Sequence, residues 1–212
     1  MKILNLYAGI GGNRKLWGAE HSVVAVESQA DIAEVYKHFF PQDEVIVGDA
    51  HQYLIEHHTE FDFIWSSPPC QSHSVTNHFL KGQGIYRYPD MSLWQEIIFL
   101  KHFFKGYYVV ENVKSYYKPM IEPQTMGRHY FWANFEIPEV KIDYVQIGNM
   151  NRSASKDAQR KAIIREAQIP ELTDLHGLDL TGIKLKNKRQ VLRNCVYPEV
   201  GKAILEAAME VK

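Results

Sequence analysis

The chain has 212 residues, is 45% hydrophobic and 23% charged, and carries a formal net charge of −1. This composition is typical of a soluble globular protein with one full domain and room for a small insert. No apolar run approaches the roughly 20 residues that a membrane span requires, which excludes an integral membrane protein. Glycines interrupt the apolar start too early for a signal peptide, so we expect a cytoplasmic protein.

The cysteines and histidines argue against a metal site. Cys70 and Cys195 are the two cysteines, and they form no CxxC pair. The ten histidines are scattered, and no HExxH motif is present. These patterns predict a reducing compartment and no bound metal ion.

The first part of the chain alternates between predicted strands and helices. Strands are predicted at 2–7, 22–27, 44–49, 61–67 and 107–113. Helices are predicted at 29–39, 50–58 and 92–104, with another beginning at Asn13. This alternation predicts an α/β fold, with a mostly parallel sheet and helices on both faces.

The pattern becomes weaker in the rest of the chain. Residues 71–90 are predicted to form a long loop, in which Gly82 and Gly84 are plausible hinges. Residues 129–135 are a further predicted strand, 153–168 a predicted helix, and Pro198 begins the last helix.

Three predicted strands end in groups that suit a nucleoside. The sequence AGIGG follows the first strand and leaves its backbone accessible to a ligand. Glu27 ends the second strand, where a carboxylate can hold ribose hydroxyls, and Asp49 ends the third. Because the glycines are not spaced as G-x-G-x-x-G, and no Walker lysine follows, the pattern favours a nucleoside without pyrophosphate, such as S-adenosylmethionine.

The fourth and fifth strands end in Cys70 and Glu111. Pro68 and Pro69 stop the fourth strand and place Cys70 in a stiff turn. A thiolate beside a carboxyl group would be a nucleophile and acid pair. From these residues alone, Cys70 could equally be a buried loop cysteine and Glu111 a strand-end cap.

Seven motifs, in order, resemble those of the DNA cytosine-5 methyltransferases over nearly the whole chain. They are NLYAGIGG (5–12), VVAVE (23–27), GDA (48–50), SPPCQS (67–72), VVENV (109–113), QTMGR (124–128) and RQVLRNCV (189–196). The resemblance implies a Rossmann-like fold that depends on S-adenosylmethionine, and methyl transfer to C5 of a cytosine.

The resemblance also implies roles for individual residues. Cys70 would attack C6 of the cytosine, Glu111 would bind N3 and the exocyclic amine, and Arg128 would hold the base and the cysteine loop. The cytosine would be flipped out of the duplex, with Gln71 and Ser74 touching the opened DNA. The residues implied to bind the cofactor are Tyr7, Ala8, Gly9, Gly11, Gly12, Glu27, Ser28, Asp49, Ala50, Pro69, Leu93, Asn194 and Val196.

Four positions depart from the family pattern. Tyr7 replaces a phenylalanine, and Ser28 replaces an aromatic residue that stacks on adenine. Met126 replaces the first arginine of Q-x-R-x-R. Arg193 replaces a glycine of the last motif, so either that turn is rebuilt or Arg193 contacts a phosphate.

The region implied to recognise the target is short. We predict a catalytic domain of residues 1–135 and 189–212, and a recognition insert of residues 136–188. Two basic stretches, 151–165 and 180–193, would contact DNA phosphates, or else be solvated faces. Their candidate DNA-binding residues are Arg152, Lys156, Arg160, Lys184, Lys186 and Lys188.

The expected partner is double-stranded DNA, and the expected activity is that of a DNA cytosine-5 methyltransferase. Two alternatives stay open: methylation of tRNA, since one branch of the family acts on RNA, and a non-catalytic DNA-binding accessory role. The target sequence and the oligomeric state stay open as well. So does the biological role, which could be in restriction–modification, in phage self-protection or that of an orphan enzyme.

Overall fold

A computed structural model describes residues 1–141 and 155–211, and these contain a seven-stranded sheet of order β3-β2-β1-β4-β5-β7-β6. The strands are β1 (Lys2–Leu6), β2 (Ser22–Glu27), β3 (Glu44–Val47), β4 (Phe63–Ser66), β5 (Tyr107–Val113), β6 (Gln124–Met126) and β7 (His129–Ala133). Strands β1 to β5 are parallel, whereas β7 runs antiparallel to β5 and to β6. This mixed sheet confirms the predicted α/β class and is typical of the methyltransferase fold that depends on S-adenosylmethionine.

Eight α-helices accompany the sheet in the described residues. They are α1 (Ala30–Phe39), α2 (Ala50–His57), α3 (Asn77–Lys81), α4 (Ser92–Phe103), α5 (Lys156–Ile163), α6 (Ile169–His176), α7 (Lys188–Arg193) and α8 (Pro198–Glu210). Short 3-10 helices follow α2 and α5. None of these helices is long and apolar enough to cross a membrane.

Both faces of the sheet are covered, because successive strand residues point to opposite sides. Leu4 and Leu6 of β1 pack in one core with residues of α2 and α4. Ile3, on the other face, packs in a second core with residues of α8, such as Ile204. Helix α1 belongs to a third core, which also contains Leu172 of α6 and residues of α7.

The C-terminal part packs back beside the first strand, as predicted. The indole nitrogen of Trp17 donates to the Gly201 carbonyl of α8 at 3.0 Å. A Cβ atom on Gly201 would lie 2.2 Å from the Asn13 carbonyl oxygen, so this helix approaches the first loop as closely as a glycine permits. The third core joins α6 and α7 to α1 as well.

Several predicted elements were wrong. Residues 13–17 form successive turns rather than a helix. The predicted helix at 153–168 is α5 followed, after a break at Ile164, by the 3-10 helix Arg165–Gln168. The predicted loop 71–90 contains α3, and helices α6 and α7 and strand β6 were not anticipated. Their amphipathic patterns are short, so tertiary packing rather than periodicity stabilises them.

Candidate active site

The carboxyl ends of β1, β2, β4 and β5 open onto one cavity of about 970 Å³. In a parallel sheet these ends lie along one edge, which is where ligands bind in open α/β folds. Most of the predicted cofactor and catalytic residues line this cavity, together with Gln71 and Ser74, which were predicted to contact DNA. They are Tyr7, Ala8, Gly9, Gly12, Glu27, Ser28, Pro69, Cys70, Gln71, Ser74, Glu111, Arg128, Asn194 and Val196.

The turn after β1 is built from unusual backbone conformations. Gly9 and Gly11 have φ of 55° and 85°, and Tyr7 has φ of 54°, a left-handed conformation that is unfavourable for a tyrosine. Gly12 is required for another reason, because a Cβ atom there would lie 2.6 Å from the Val196 carbonyl oxygen. The first and last motifs therefore touch along one wall of the cavity.

The carboxylate of Glu27 ties the glycine turn to the start of α1. Its Oε2 accepts from the Gly9 amide at 3.0 Å, and its Oε1 accepts from the Gln29 amide at 2.9 Å and the Ser28 hydroxyl at 3.3 Å. Glu27 is 93% buried and lines the cavity. A carboxylate offers about four acceptor positions, so this side chain can still accept a hydrogen bond from a ligand hydroxyl.

The loop that carries Cys70 is held by the neighbouring strand. The Asn112 side chain of β5 donates to the Pro68 carbonyl at 2.9 Å, in a buried position. The Cys70 carbonyl accepts from the amides of His73 and Ser74, each at 3.0 Å. Since β4 pairs with β5, this arrangement brings Cys70 and Glu111 to the same cavity.

The surroundings of Cys70 favour the protonated thiol. Burial, followed by the nearby Glu111 carboxylate, raises the pKa of Cys70 above its ordinary value. Glu111 is itself buried, with its Oε1 3.6 Å from Nε2 of His129. A negatively charged Glu111 therefore opposes formation of the thiolate, and a protonated Glu111 does not.

Two arginines line the cavity. Arg128 follows Gly127 in the turn between β6 and β7, and Arg193 ends α7. Burial, together with the guanidinium groups of Arg189 and Arg128, lowers the pKa of Arg193. The two guanidinium groups that line the cavity, Arg128 and Arg193, form a surface that suits an anion.

Four predicted cofactor residues do not line the cavity. Asp49 caps α2 by accepting from the Gln52 amide at 2.8 Å, and Ala50 is the first residue of that helix. Leu93 is 98% buried in the core between the sheet and α4. A Cβ atom on Gly11 would lie 2.3 Å from the Phe40 ring, so this glycine allows packing against α1.

The predicted DNA-binding residues outside the cysteine loop lie away from the cavity. Lys156 and Arg160 are exposed on α5, and Lys184 and Lys186 are exposed before α7. The ammonium group of Lys188 donates to the Leu180 carbonyl at 2.7 Å. Arg152, the other predicted member of the α5 stripe, lies outside the described residues.

The structure adds cavity residues that the sequence did not indicate. Gln168, Leu172 and His176 line one wall, on and next to α6. Burial lowers the pKa of His176 to about 4, and its Nδ1 has no hydrogen-bond partner among the described residues. No motif includes these residues, so only the packing of α6 onto α1 could have revealed them. Within the described residues, no group of three or more His, Cys, Asp or Glu side chains could hold a metal ion.

Two solved structures align with almost the entire chain. A DNMT2 triple mutant from Spodoptera frugiperda has a TM-score of 0.58 at 15% identity, covering 99% of each chain. The methyltransferase EhMeth from Entamoeba histolytica has a TM-score of 0.50 at 11% identity, covering 99% of this chain and 97% of its own. These similarities establish the fold.

Comparison of the sequence with curated proteins gives no match. A family model does match, however. The model of the C-5 cytosine-specific DNA methylases covers residues 1–128, which include the glycine turn, the Cys70 loop, Glu111 and Arg128. The chain therefore belongs to the C-5 cytosine-specific DNA methylase family.

Proposed function

We propose that this protein transfers a methyl group from S-adenosylmethionine to C5 of a flipped-out cytosine in duplex DNA. The observation that carries the proposal is the joint position of Cys70 and Glu111 in the cavity that the glycine turn and Glu27 also line. The family match, whose description names DNA, supports the choice of DNA as substrate.

The residues of the cavity fit the cofactor. The turn after β1 exposes backbone beside a buried carboxylate, a donor and acceptor set that suits ribose hydroxyls. Glu27 would hold the ribose, while Asn194 and Val196 would face the methionine end. When bound, S-adenosylmethionine supplies a methyl group on a sulfonium centre, which is a strong electrophile.

The catalytic residues would act on the cytosine ring in a defined order. The Cys70 thiol would release its proton to solvent, and its thiolate would form a bond to C6 as the C5–C6 double bond opens, which makes C5 nucleophilic. Glu111 donates to N3 and accepts from the exocyclic amine, and so offsets the charge that develops on the ring. After C5 has gained the methyl group, with the neutral thioether of the cofactor as the leaving group, a base would remove the C5 proton, the C5–C6 double bond would re-form and the C6–S bond would break, which returns Cys70 as a thiolate.

The position of the cavity explains why the base must leave the helix. A cytosine stacked in a duplex cannot reach a thiol at the bottom of a strand-end cavity, so it must be flipped out. Gln71 and Ser74, which line the same cavity as Cys70, would contact the opened strand. Arg128 would hold the flipped base against the cysteine loop.

The proposal is tested by methyl transfer from radiolabelled S-adenosylmethionine to duplex DNA and, in parallel, to tRNA. We expect incorporation into duplex DNA by the wild type and none by Cys70→Ser, because a serine hydroxyl is a far weaker nucleophile than a thiolate. A covalent adduct should also form with DNA that contains 5-fluorocytosine. Methylation of tRNA but not of duplex DNA would show that the substrate is tRNA. Turnover without a covalent adduct would refute the mechanism.

A further inference from the structure

A fully buried carboxylate, Glu96 of α4, lies behind the glycine turn. Its Oε1 accepts a hydrogen bond from the Tyr7 hydroxyl and lies 3.2 Å from Nδ1 of His51. Its Oε2 accepts from the Ser66 hydroxyl at 2.7 Å. A buried carboxylate is costly unless it is paired and hydrogen-bonded, so this set of partners is required for the folded state.

Glu96 connects the glycine turn, the end of β4 and the start of α2. Tyr7 directly follows β1 and begins the glycine turn, Ser66 ends β4 just before the Cys70 loop, and His51 is in the first turn of α2. The Tyr7 backbone has the left-handed φ of 54°, which persists only where the surroundings hold it. Its bond to Glu96 is one of the contacts that hold it.

This contact also explains a departure from the family pattern. A phenylalanine at position 7 would fill the same space but could not donate to Glu96. Burial, followed by the Glu96 charge, raises the pKa of Tyr7, so its hydroxyl stays protonated and remains a donor. The hydroxyl of Tyr7 therefore has a function that the family residue lacks.

We propose that Glu96 and His51 are positioning residues, which hold Tyr7 and the glycine turn in the form that binds the cofactor and do so best when His51 is protonated. The inference rests on the proposed function, because it concerns binding of S-adenosylmethionine to that turn. Neither residue lines the cavity, so both act through Tyr7.

The expected pH dependence follows from the groups that face His51. Glu96 comes from α4, Tyr7 from β1 and Asp49 from the start of α2, while the charge of Asp90 also reaches Tyr7. The hydrogen bond to Glu96 raises the pKa of His51, burial opposes this, and Asp49 adds to it. The charged pair is therefore complete below the ordinary histidine pKa and is lost as the pH rises through the raised value.

The test measures the dissociation constant of S-adenosylmethionine by calorimetry between about pH 5.5 and pH 8.5. A charge-assisted hydrogen bond is roughly twice as strong as a neutral one, so we expect wild-type affinity to fall about five-fold across this range. His51→Gln should bind with the weaker affinity at every pH. Tyr7→Phe, which keeps the ring, should flatten the profile as well.

A matched control is available at the end of the same helix. His57 lies 2.7 Å from Glu60 in an exposed pair, so His57→Gln should leave the profile unchanged. The inference would be overturned if the wild-type affinity did not vary with pH, or if the pH profile persisted in both His51→Gln and Tyr7→Phe. Neither result would affect the proposed function. A wild-type protein that binds no S-adenosylmethionine would overturn the proposed function, and this inference with it.

Discussion

The protonated thiol of Cys70 is favoured because burial, followed by the nearby Glu111 carboxylate, raises the pKa of Cys70. A thiol in this state is protected from unwanted oxidation and alkylation, since the thiolate is the reactive form. The same carboxylate, Glu111, is the proposed partner of the cytosine. In the proposed complex, hydrogen bonds between the base and Glu111 would offset the negative charge that opposes thiolate formation.

The link between Glu111 and Cys70 can be tested without substrate. Glu111→Gln removes the negative charge, so the pKa of Cys70 should fall and alkylation by iodoacetamide at neutral pH should become faster. The alkylation profile of Cys70 should therefore shift to lower pH in this variant. Mass spectrometry of the Cys70 peptide across a pH series would measure it.

Cys195 is an internal control in the same samples, because burial raises its pKa to about 12 and should keep it unreactive. An alkylation profile of Cys70 that is identical in the wild type and in Glu111→Gln would contradict the electrostatic coupling of the two residues.

The contact between the glycine turn and the last motif depends on close approach of the backbone. Gly12 touches Val196 and Cys195 of the last motif, and its backbone does not have a positive φ. The requirement for glycine at position 12 is therefore steric. Gly82, one of the two predicted hinges, ends α3 with an ordinary φ of −61°, whereas Gly84 has the left-handed φ of 76°.

Gly12→Ala should destabilise the protein and weaken cofactor binding together. Overpacking of a tight contact costs about 1–3 kcal/mol of unfolding free energy. Chemical denaturation and cofactor titration would measure both effects. Gly82→Ala is the control, because the nearest atom to its new Cβ would be 3.4 Å away, and equal denaturation midpoints for the two variants would refute the steric explanation.

At the scale of the whole molecule, the net charge is close to zero, but positive charge is concentrated in one stretch of the chain. The net charge is −1, yet Lys184 and Lys186 are exposed in a stretch that contains no acidic residue between 180 and 193. Lys188 differs from them because its ammonium group is bonded to the Leu180 carbonyl. We therefore expect Lys184 and Lys186 to contact phosphates and Lys188 to contribute mainly to structure.

Replacing Lys184 and Lys186 together by serine should weaken DNA binding about equally on all sequences. Loss of two phosphate contacts should reduce the slope of log affinity against log salt by about 1.8. Binding measured between about 50 and 200 mM salt would show this. The control is the same change at Lys101 and Lys105, which are exposed at and just beyond the end of α4. An unchanged salt slope in the Lys184 and Lys186 variant would show that the phosphate-binding surface lies elsewhere.

The strands and their terminal groups were predictable from the sequence. Buried parallel strands are continuous apolar runs, and Glu27, Cys70 and Glu111 follow such runs directly. Position at a strand end is a local property, and the edge of a parallel sheet then brings these groups together. The roles of these residues, and the boundaries of the recognition insert, stay predictions.

Only the tertiary structure determined the contacts between residues that are distant in the chain. The burial of Glu96 against Tyr7 and His51, and the wall that α6 contributes to the cavity, leave no signal in local periodicity. Helix α6 is short, and its position depends on apolar contacts with α1 rather than on its own pattern. The sequence by itself therefore determined the five parallel strands and the polar groups at their ends, because each is specified by a few adjacent residues. Only the packed chain determined which side chains support those groups, because that depends on the summed contacts of the entire core.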